Sequence, residues 1–155
     1  MKTVCRYESP VGTLFLAAVE DGVTDISVRP VEGSEGMSPV LQRLISLLDA
    51  YFAGQNPDFS QLPLAPAGTE FRRRVWAALR AIPYGATSSY GQIAGEIGCR
   101  GGARAVGGAC GANPLLIVVP CHRVLGSDGR LTGFSAGMER KKWLLAHESR
   151  TKLAY

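Results

Sequence analysis

No apolar run in the 155-residue chain approaches the roughly 20 residues that a membrane-spanning helix needs, so a helical span is excluded. The first residues, Met1 to Glu8, lack the apolar core of a signal peptide, and a cytoplasmic location is expected. Histidine is scarce, at two residues, and the four cysteines (Cys5, Cys99, Cys110, Cys121) contain no Cys-x-x-Cys pair. No pair of these residues has local metal-ligand spacing, so neither a metal nor a cofactor is expected. A reducing compartment would keep the cysteines as thiols. Internal repeats and low-complexity segments are also missing. Charged residues are only 19% of the chain and hydrophobic ones 46%, which favours a packed core over disorder.

Acidic residues are sparse in the second half. Residues 1–68 carry four Lys/Arg and eight Asp/Glu, a net of −4, whereas residues 69–155 carry thirteen and five, a net of +8. A basic half beside an acidic half suggests that one half meets a polyanion, nucleic acid among the candidates; a solvated basic surface is the plainer alternative.

The first half reads as a small sheet with one helix. Thr3 to Tyr7, Gly12 to Val19 and Val23 to Val28 have strand character, with turns at Ser9-Pro10 and Glu20-Asp21-Gly22. Residues 29–38 read as a loop. Leu41, Leu44, Ile45, Leu48 and Phe52 then form one face of a helix over Pro39 to Phe52. Residues 61–68 read as a linker. Domains are expected at 1–66, a scaffold without a reactive cluster, and at 67–155.

In the second half, Thr69 can cap a helix whose inward stripe is Phe71, Val75, Leu79 and Ile82, with Arg72, Arg73 and Arg74 outward. Ser89 with Gln92 three residues later forms a capping-box pattern. It opens a helix from Tyr90 to about Ile97. After a Gly-containing turn, a second helix spans about Gly102 to Cys110. This spacing fits a helix-turn-helix. Each interior glycine of the second helix costs about 1 kcal/mol relative to alanine. Close approach to another surface would compensate, and that surface is either a neighbouring element of the protein or a DNA groove. Arg104 is the only long side chain there. It serves as a phosphate or carboxylate contact, or as a probe that enters DNA. Met138 to Glu148 forms the last helix, where Leu144 and Glu148 share a face; if Leu144 packs inward, Glu148 needs a buried partner.

Leu115 to Val119, between Pro114 and Pro120, reads as a short buried strand that presents Cys121 at its end. His122 follows. An imidazole can take the thiol's proton and lower its pKa from about 8.5. Neighbours on a strand face opposite ways, so the two cooperate only if the chain turns at Pro120, with a water able to bridge them. Glu148 is the candidate to orient His122. Such a relay serves acyl transfer and alkyl transfer equally well.

The segment Pro-Cys-His-Arg-Val at 120–124 resembles the active-site signature of the O6-alkylguanine-DNA alkyltransferases, or methylated-DNA–protein-cysteine methyltransferases. Ser89-Tyr90-Gly91-Gln92, Arg104-Ala105-Val106-Gly107, Asn113-Pro114 and Trp143 to Glu148 extend the likeness in unbroken order. The resemblance implies an α/β N-terminal domain with a ribonuclease-H-like sheet and a mainly α C-terminal domain with a helix-turn-helix. It implies single-turnover transfer of an alkyl group from O6-alkylguanine, and O4-alkylthymine, in double-stranded DNA to Cys121. His122 would act as base through a water, and Glu148 would orient it. Asn113 would join the helix-turn-helix to the active-site loop. Tyr90 would help turn out the nucleotide and bond the guanine ring, and Arg104 would take the place of the flipped base. The Gly-rich helix would dock in the minor groove, with further DNA contacts from Ser89, Ala103 and Arg123, and the backbone around Val124 and Ser135 would contact the base. The protein would act as a monomer able to cluster along DNA.

Two departures from the family stand out. Members that bind zinc do so through Cys and His in the N-terminal half, where this chain has only Cys5. Phe134 stands where a tyrosine is common, which bears on rate and alkyl range. Three rival readings make different demands. A damage sensor that binds without repair would lack Cys121. A cysteine hydrolase or acyltransferase leaves the paired helices and basic half unexplained. A transcription regulator needs more base-reading side chains than Arg104.

Overall fold

The computed structural model describes residues 1–126, 129, 134 and 136–152. Strands β1 (Thr3–Ser9), β2 (Gly12–Val19), β3 (Gly22–Ser27) and β4 (Ser34–Glu35) form one sheet in the order β3-β2-β1-β4. The β1/β2 and β2/β3 pairs are antiparallel, and β4 runs parallel to β1. The short β4 lies inside the segment expected to be a loop. Leu14, Leu16 and Ala18 alternate inward along β2, as a half-buried strand requires.

Helix α1 (Pro39–Phe52) covers the sheet. The Ser38 side chain accepts from Leu41 N, and Pro39 fills the first turn, where its missing N–H costs nothing. Its buried residues are Leu41, Leu44, Leu48 and Tyr51. Phe52, expected on that stripe, is only partly buried, and Tyr51 takes the deeper place.

The expected linker at 61–68 is tied down instead. Val23 N donates to Pro63 O at 2.9 Å and Ala65 N to Val23 O at 2.8 Å, so the segment covers part of the open edge of β3. Gly22 permits this approach: a Cβ there would lie 2.6 Å from the Pro63 backbone. Farther along the same edge, Ile26 N donates to Pro114 O at 2.8 Å, and Leu116 N to Ile26 O at 3.2 Å. The sheet thus grips the chain just before Cys121.

The rest is mainly helical. Helices α2 (Glu70–Arg80), α3 (Tyr90–Glu96) and α4 (Ala103–Gly111) pack on one another around Trp76, Ile93, Val106 and Ala109. The Thr69 side chain caps α2, and Trp76 Nε1 donates to Ala109 O at 2.9 Å, locking α4 onto it. Strand β5 (Ser88–Ser89) pairs in parallel with β6 (Val124–Leu125). Helix α5 (Met138–Thr151) closes the fold and extends one turn beyond the expected Glu148. One continuous hydrophobic cluster runs through both halves.

The run Leu115 to Val119 corrects the expectation of a strand. Leu115 makes only an isolated bridge to Ile26, and the residues after it curl. Val118 N donates to Leu116 O at 2.8 Å, closing a three-residue turn centred on Ile117, whose φ is 72°. A β-branched residue in this region is strained by about 1–3 kcal/mol. Burial on every side drives the run inward whatever its conformation: all five residues are buried. Periodicity cannot separate such a buried turn from a buried strand.

Candidate active site

Pro120 supplies the turn that cooperation between Cys121 and His122 demands. Its φ of −81° and ψ of 62° are those of an inverse γ-turn, closed by Cys121 N donating to Val119 O at 2.8 Å. Cys121–Arg123 then form a 3₁₀ turn. With the 3₁₀ turn in place of a strand, the thiol and imidazole are not held to opposite faces.

Cys121 is 2% exposed. Asn113 holds it in place: Nδ2 donates to Cys121 Sγ at 3.1 Å and to Val119 O at 2.8 Å, while Oδ1 accepts from Leu115 N at 2.9 Å. One buried amide therefore fixes both ends of the loop and touches the sulfur. Burial pushes the Cys121 thiol up to about 11, against the Asn113 bond and the charge of Lys141, which favour the thiolate. The resting thiol is protonated and needs a base. Cys110, also buried, is pushed up to about 12 by burial and then by Cys121.

A candidate base lies next to it. His122 is fully buried, and its Nε2 donates to Glu148 Oε2 at 2.6 Å. Nδ1 has no hydrogen-bond partner among the described residues, which leaves it as the acceptor face of a neutral ring. Burial holds the His122 pKa below its ordinary value, outweighing Glu148. Burial would raise the Glu148 pKa, but hydrogen bonds from His122 and Arg123 and the Arg123 charge keep its carboxyl well below the usual carboxylate range. Glu148 is 1% exposed and shares a face of α5 with the buried Leu144. It accepts from Arg123 Nε at 2.8 Å, Arg123 Nη2 at 3.1 Å, Tyr51 Oη at 2.6 Å and Gly85 N at 3.2 Å. A buried carboxylate with this many donors is ionised, and Arg123 supplies the counter-charge that lets His122 stay neutral.

Arg123 departs from the DNA contact that the resemblance implies. Its guanidinium turns inward to Glu148 and donates to Ile82 O at 2.8 Å. The unpaired charge of a buried carboxylate is costlier than any contact a surface arginine could make. The Val124 side chain is buried, and its carbonyl accepts from Lys141 Nζ at 2.7 Å. Ser135 lies outside the described residues.

Two residues of the site escaped the sequence. Lys141 is fully buried and its Nζ lies 5.9 Å from the Phe134 ring centroid. Its signal was present, since Lys141, Leu144 and Glu148 share one face of α5. Tyr51 is not part of the expected α1 stripe, though it is buried on that helix, and nothing in the sequence points its hydroxyl at a residue 97 positions away.

The remaining candidates lie on α3 and α4. The Ser89 hydroxyl accepts from Gln92 N at 3.1 Å and caps α3, placing Tyr90, half-buried, at its first position. Ala103 and the exposed Arg104 open α4. Among its glycines, Gly102 is required by the protein, because a Cβ would lie 2.5 Å from Cys99 Sγ. Gly107 and Gly108 are not: a Cβ at Gly107 would meet Tyr90 at an ordinary 3.9 Å, and one at Gly108 nothing within 4 Å. Arg72, Arg73 and Arg74 are exposed along α2. Among the described residues no group of three or more His, Cys, Asp or Glu could hold a metal ion.

Comparison with known proteins gives a consistent result. Residues 5–66 match the 6-O-methylguanine DNA methyltransferase ribonuclease-like domain, and residues 70–150 the 6-O-methylguanine DNA methyltransferase DNA binding domain. A methylated-DNA–protein-cysteine methyltransferase of Mycolicibacterium paratuberculosis is 46% identical over 149 residues, covering 92% of this chain and 90% of the relative. The crystal structure of Mycobacterium tuberculosis OGT in complex with DNA superposes with a TM-score of 0.87 at 42% identity, covering 96% of this chain and 94% of that one. That of the Mycobacterium tuberculosis O6-methylguanine methyltransferase gives 0.82, also at 42% identity, over 97% and 94%. Both halves match in the same order: the chain belongs to the methylated-DNA–protein-cysteine methyltransferase family.

Proposed function

We propose that this protein repairs DNA by transferring the alkyl group of O6-alkylguanine, and of O4-alkylthymine, to Cys121 in a single irreversible step. The observation that carries the reading is a buried thiol bonded to Asn113, beside a neutral imidazole whose other nitrogen is fixed on an ionised Glu148. His122 Nδ1 takes the thiol proton through a water. The thiolate attacks the alkyl carbon, the S–C bond forms, and the C–O bond breaks with its electron pair moving to the guanine ring. Tyr90 donates a hydrogen bond there as charge develops. The thioether product is not hydrolysed, so each molecule reacts once.

In-line displacement needs space that a stacked base lacks, and the base is turned out of the duplex. The open face of α4 around Gly107 and Gly108 supports entry of this helix into the minor groove as part of a helix-turn-helix, with Arg104 filling the place of the extruded base. Ser89, Tyr90, Ala103 and Arg104 make the contacts, with the backbone at Val124 and Ser135 facing the base. In this reading residues 1–66 form one domain and 67–155 the other, acting as a cytoplasmic monomer able to cluster along DNA. Arg104→Ala tests the assignment. It should slow transfer from duplex DNA at least tenfold more than transfer from free O6-methylguanine base. Equal losses on both substrates would remove Arg104 from base extrusion.

A further inference from the structure

The geometry points to Tyr51, a residue of the N-terminal sheet-and-helix half, as a positioning residue that sets how strongly Glu148 acts on His122. This goes beyond holding the second half in place, and it rests on the Cys121–His122–Glu148 relay proposed above. The Tyr51 hydroxyl donates at 2.6 Å to Glu148 Oε2, the same oxygen that receives His122 Nε2 at 2.6 Å. Arg123 Nη2 reaches that oxygen as well, at 3.1 Å. The carbonyl of Tyr51 accepts from His147 Nε2 at 2.7 Å, so one residue of α1 grips two consecutive residues of α5. The ring is 1% exposed and edge-packed against Phe52 and Tyr84, which leaves the hydroxyl one orientation.

A donor on a carboxylate oxygen withdraws charge from it. With Tyr51 in place, Glu148 is a weaker acceptor for the His122 proton, and the imidazolium is less favoured. His122 therefore stays neutral, with Nδ1 free to accept, to lower pH than it would if Glu148 faced it alone. Burial, followed by the Glu148 charge, holds the Tyr51 hydroxyl protonated far above its ordinary range, so it acts only as a donor at any working pH. Among the described residues, Glu148 is bonded by His122 and Arg123 from the 3₁₀ turn, Tyr51 from α1, and the Gly85 amide from the turn after α2; the charge of Lys141 on α5 also disfavours the charged form of His122.

The test is the pH dependence of methyl transfer to Cys121 from free O6-methylguanine base, in single turnover, for the wild type, Tyr51→Phe, Tyr7→Phe and His122→Gln. The rate should fall on the acid side as His122 becomes protonated. Tyr51→Phe should move that limb upward by roughly one pH unit, as expected when one of several charge-directed hydrogen bonds is lost. Tyr7→Phe removes a hydroxyl of the same half that bonds Asp49, away from the relay, and should leave the limb where it is. If Tyr51→Phe does not fold, site-specific 3-fluorotyrosine at position 51, a stronger donor, should move the limb downward. A folded Tyr51→Phe, or the fluorinated protein, with a limb superposed on the wild type would overturn the inference. A wild-type limb unchanged in His122→Gln would instead overturn the relay on which it rests.

Discussion

Asn113 concentrates more of the site in one side chain than any other residue, so its removal has a calculable consequence. Asn113→Ala deletes the partner of Leu115 N, the donor to Cys121 Sγ and one of the two donors to Val119 O, which keeps Cys121 N. Leu115 N lies on a fully buried residue, where an unsatisfied donor costs about 1–3 kcal/mol. A loss of about 2 kcal/mol is a sizeable share of the ~5–15 kcal/mol that holds a domain together. At about 2–4 °C per kcal/mol for a chain of this size, the melting temperature should drop by roughly 4–8 °C. The exposed Asn56→Ala, a substitution away from any such feature, should stay within about 0.5 kcal/mol of wild type. The thiolate also loses a donor. A hydrogen bond to a charged group contributes about 1.5–3 kcal/mol, so transfer to Cys121 should slow by roughly 10–100-fold at a temperature where both proteins are folded. Urea unfolding and rapid-quench single turnover measure the two effects separately. A stability loss below about 1 kcal/mol, or a rate within twofold of wild type, would refute the role given to this amide.

Other expectations follow from the same geometry. Glu148→Gln strands the buried Arg123 guanidinium and should cost about 3–5 kcal/mol in urea unfolding. It should also slow transfer by about 10²–10⁴-fold, as loss of an oriented base does; transfer within twofold of wild type would contradict the relay. Stability should depend on pH from two directions. The depressed Glu148 carboxyl contributes stability that is present above the unfolded carboxylate value of about 4.3 and is lost as pH falls toward its folded value. The raised thiols of Cys121 and Cys110 contribute stability that is complete below their ordinary value of 9.0 and is lost as pH rises through about 11 and 12. Denaturant midpoints from pH 3 to 11 should therefore form a plateau falling at both ends, and Cys110→Ala with Cys121→Ser should flatten only the alkaline side. Lys141→Met, which removes a cation that favours the thiolate, should raise the Cys121 pKa above about 11 and shift the alkaline rise of iodoacetamide labelling upward. Labelling profiles that superpose would show that Lys141 serves only its bond to Val124 O.

Much of this site was legible because its residues obey local rules. The pairing of Leu144 with Glu148 on one face of α5 is a matter of helical spacing, and it placed the carboxylate in the interior before any coordinate did. Ser89 with Gln92, Thr69 and Pro39 announce helix starts by capping chemistry alone. What stayed hidden depends on contacts between distant segments. The run Leu115 to Val119 looks like a strand because burial selects the same apolar residues for a turn, and only the edge of β3 decides how the chain is received there. Arg123 reads as a surface cation until Glu148 arrives from α5 to claim it. The first half appeared to be a scaffold without reactive groups, yet β3 holds the loop before Cys121 and Tyr51 reaches the carboxylate of the relay. A tyrosine on an apolar stripe gives no sign of where its hydroxyl goes, because its partner is set by tertiary packing.

The proposed division between the relay and DNA-facing helices also explains why the thiol needs so much support. Burial alone drives Cys121 away from the reactive thiolate. It also keeps bulk water from the sulfur and leaves Asn113 and Lys141 acting at full strength in a medium of low polarity. The proposed reaction thus calls for a base that is itself buried and neutral. His122 fits that need because Arg123, rather than the imidazole, balances Glu148.

The central claim is that Cys121 is a stoichiometric alkyl acceptor. Intact-mass measurement after mixing the protein with excess duplex oligonucleotide containing O6-methylguanine tests it directly. The account predicts one added methyl group per molecule, located on Cys121 by peptide mapping and absent in Cys121→Ser, with repair stopping at one lesion per protein. Repeated turnover, or a methyl group on Cys5, Cys99 or Cys110 instead, would contradict it.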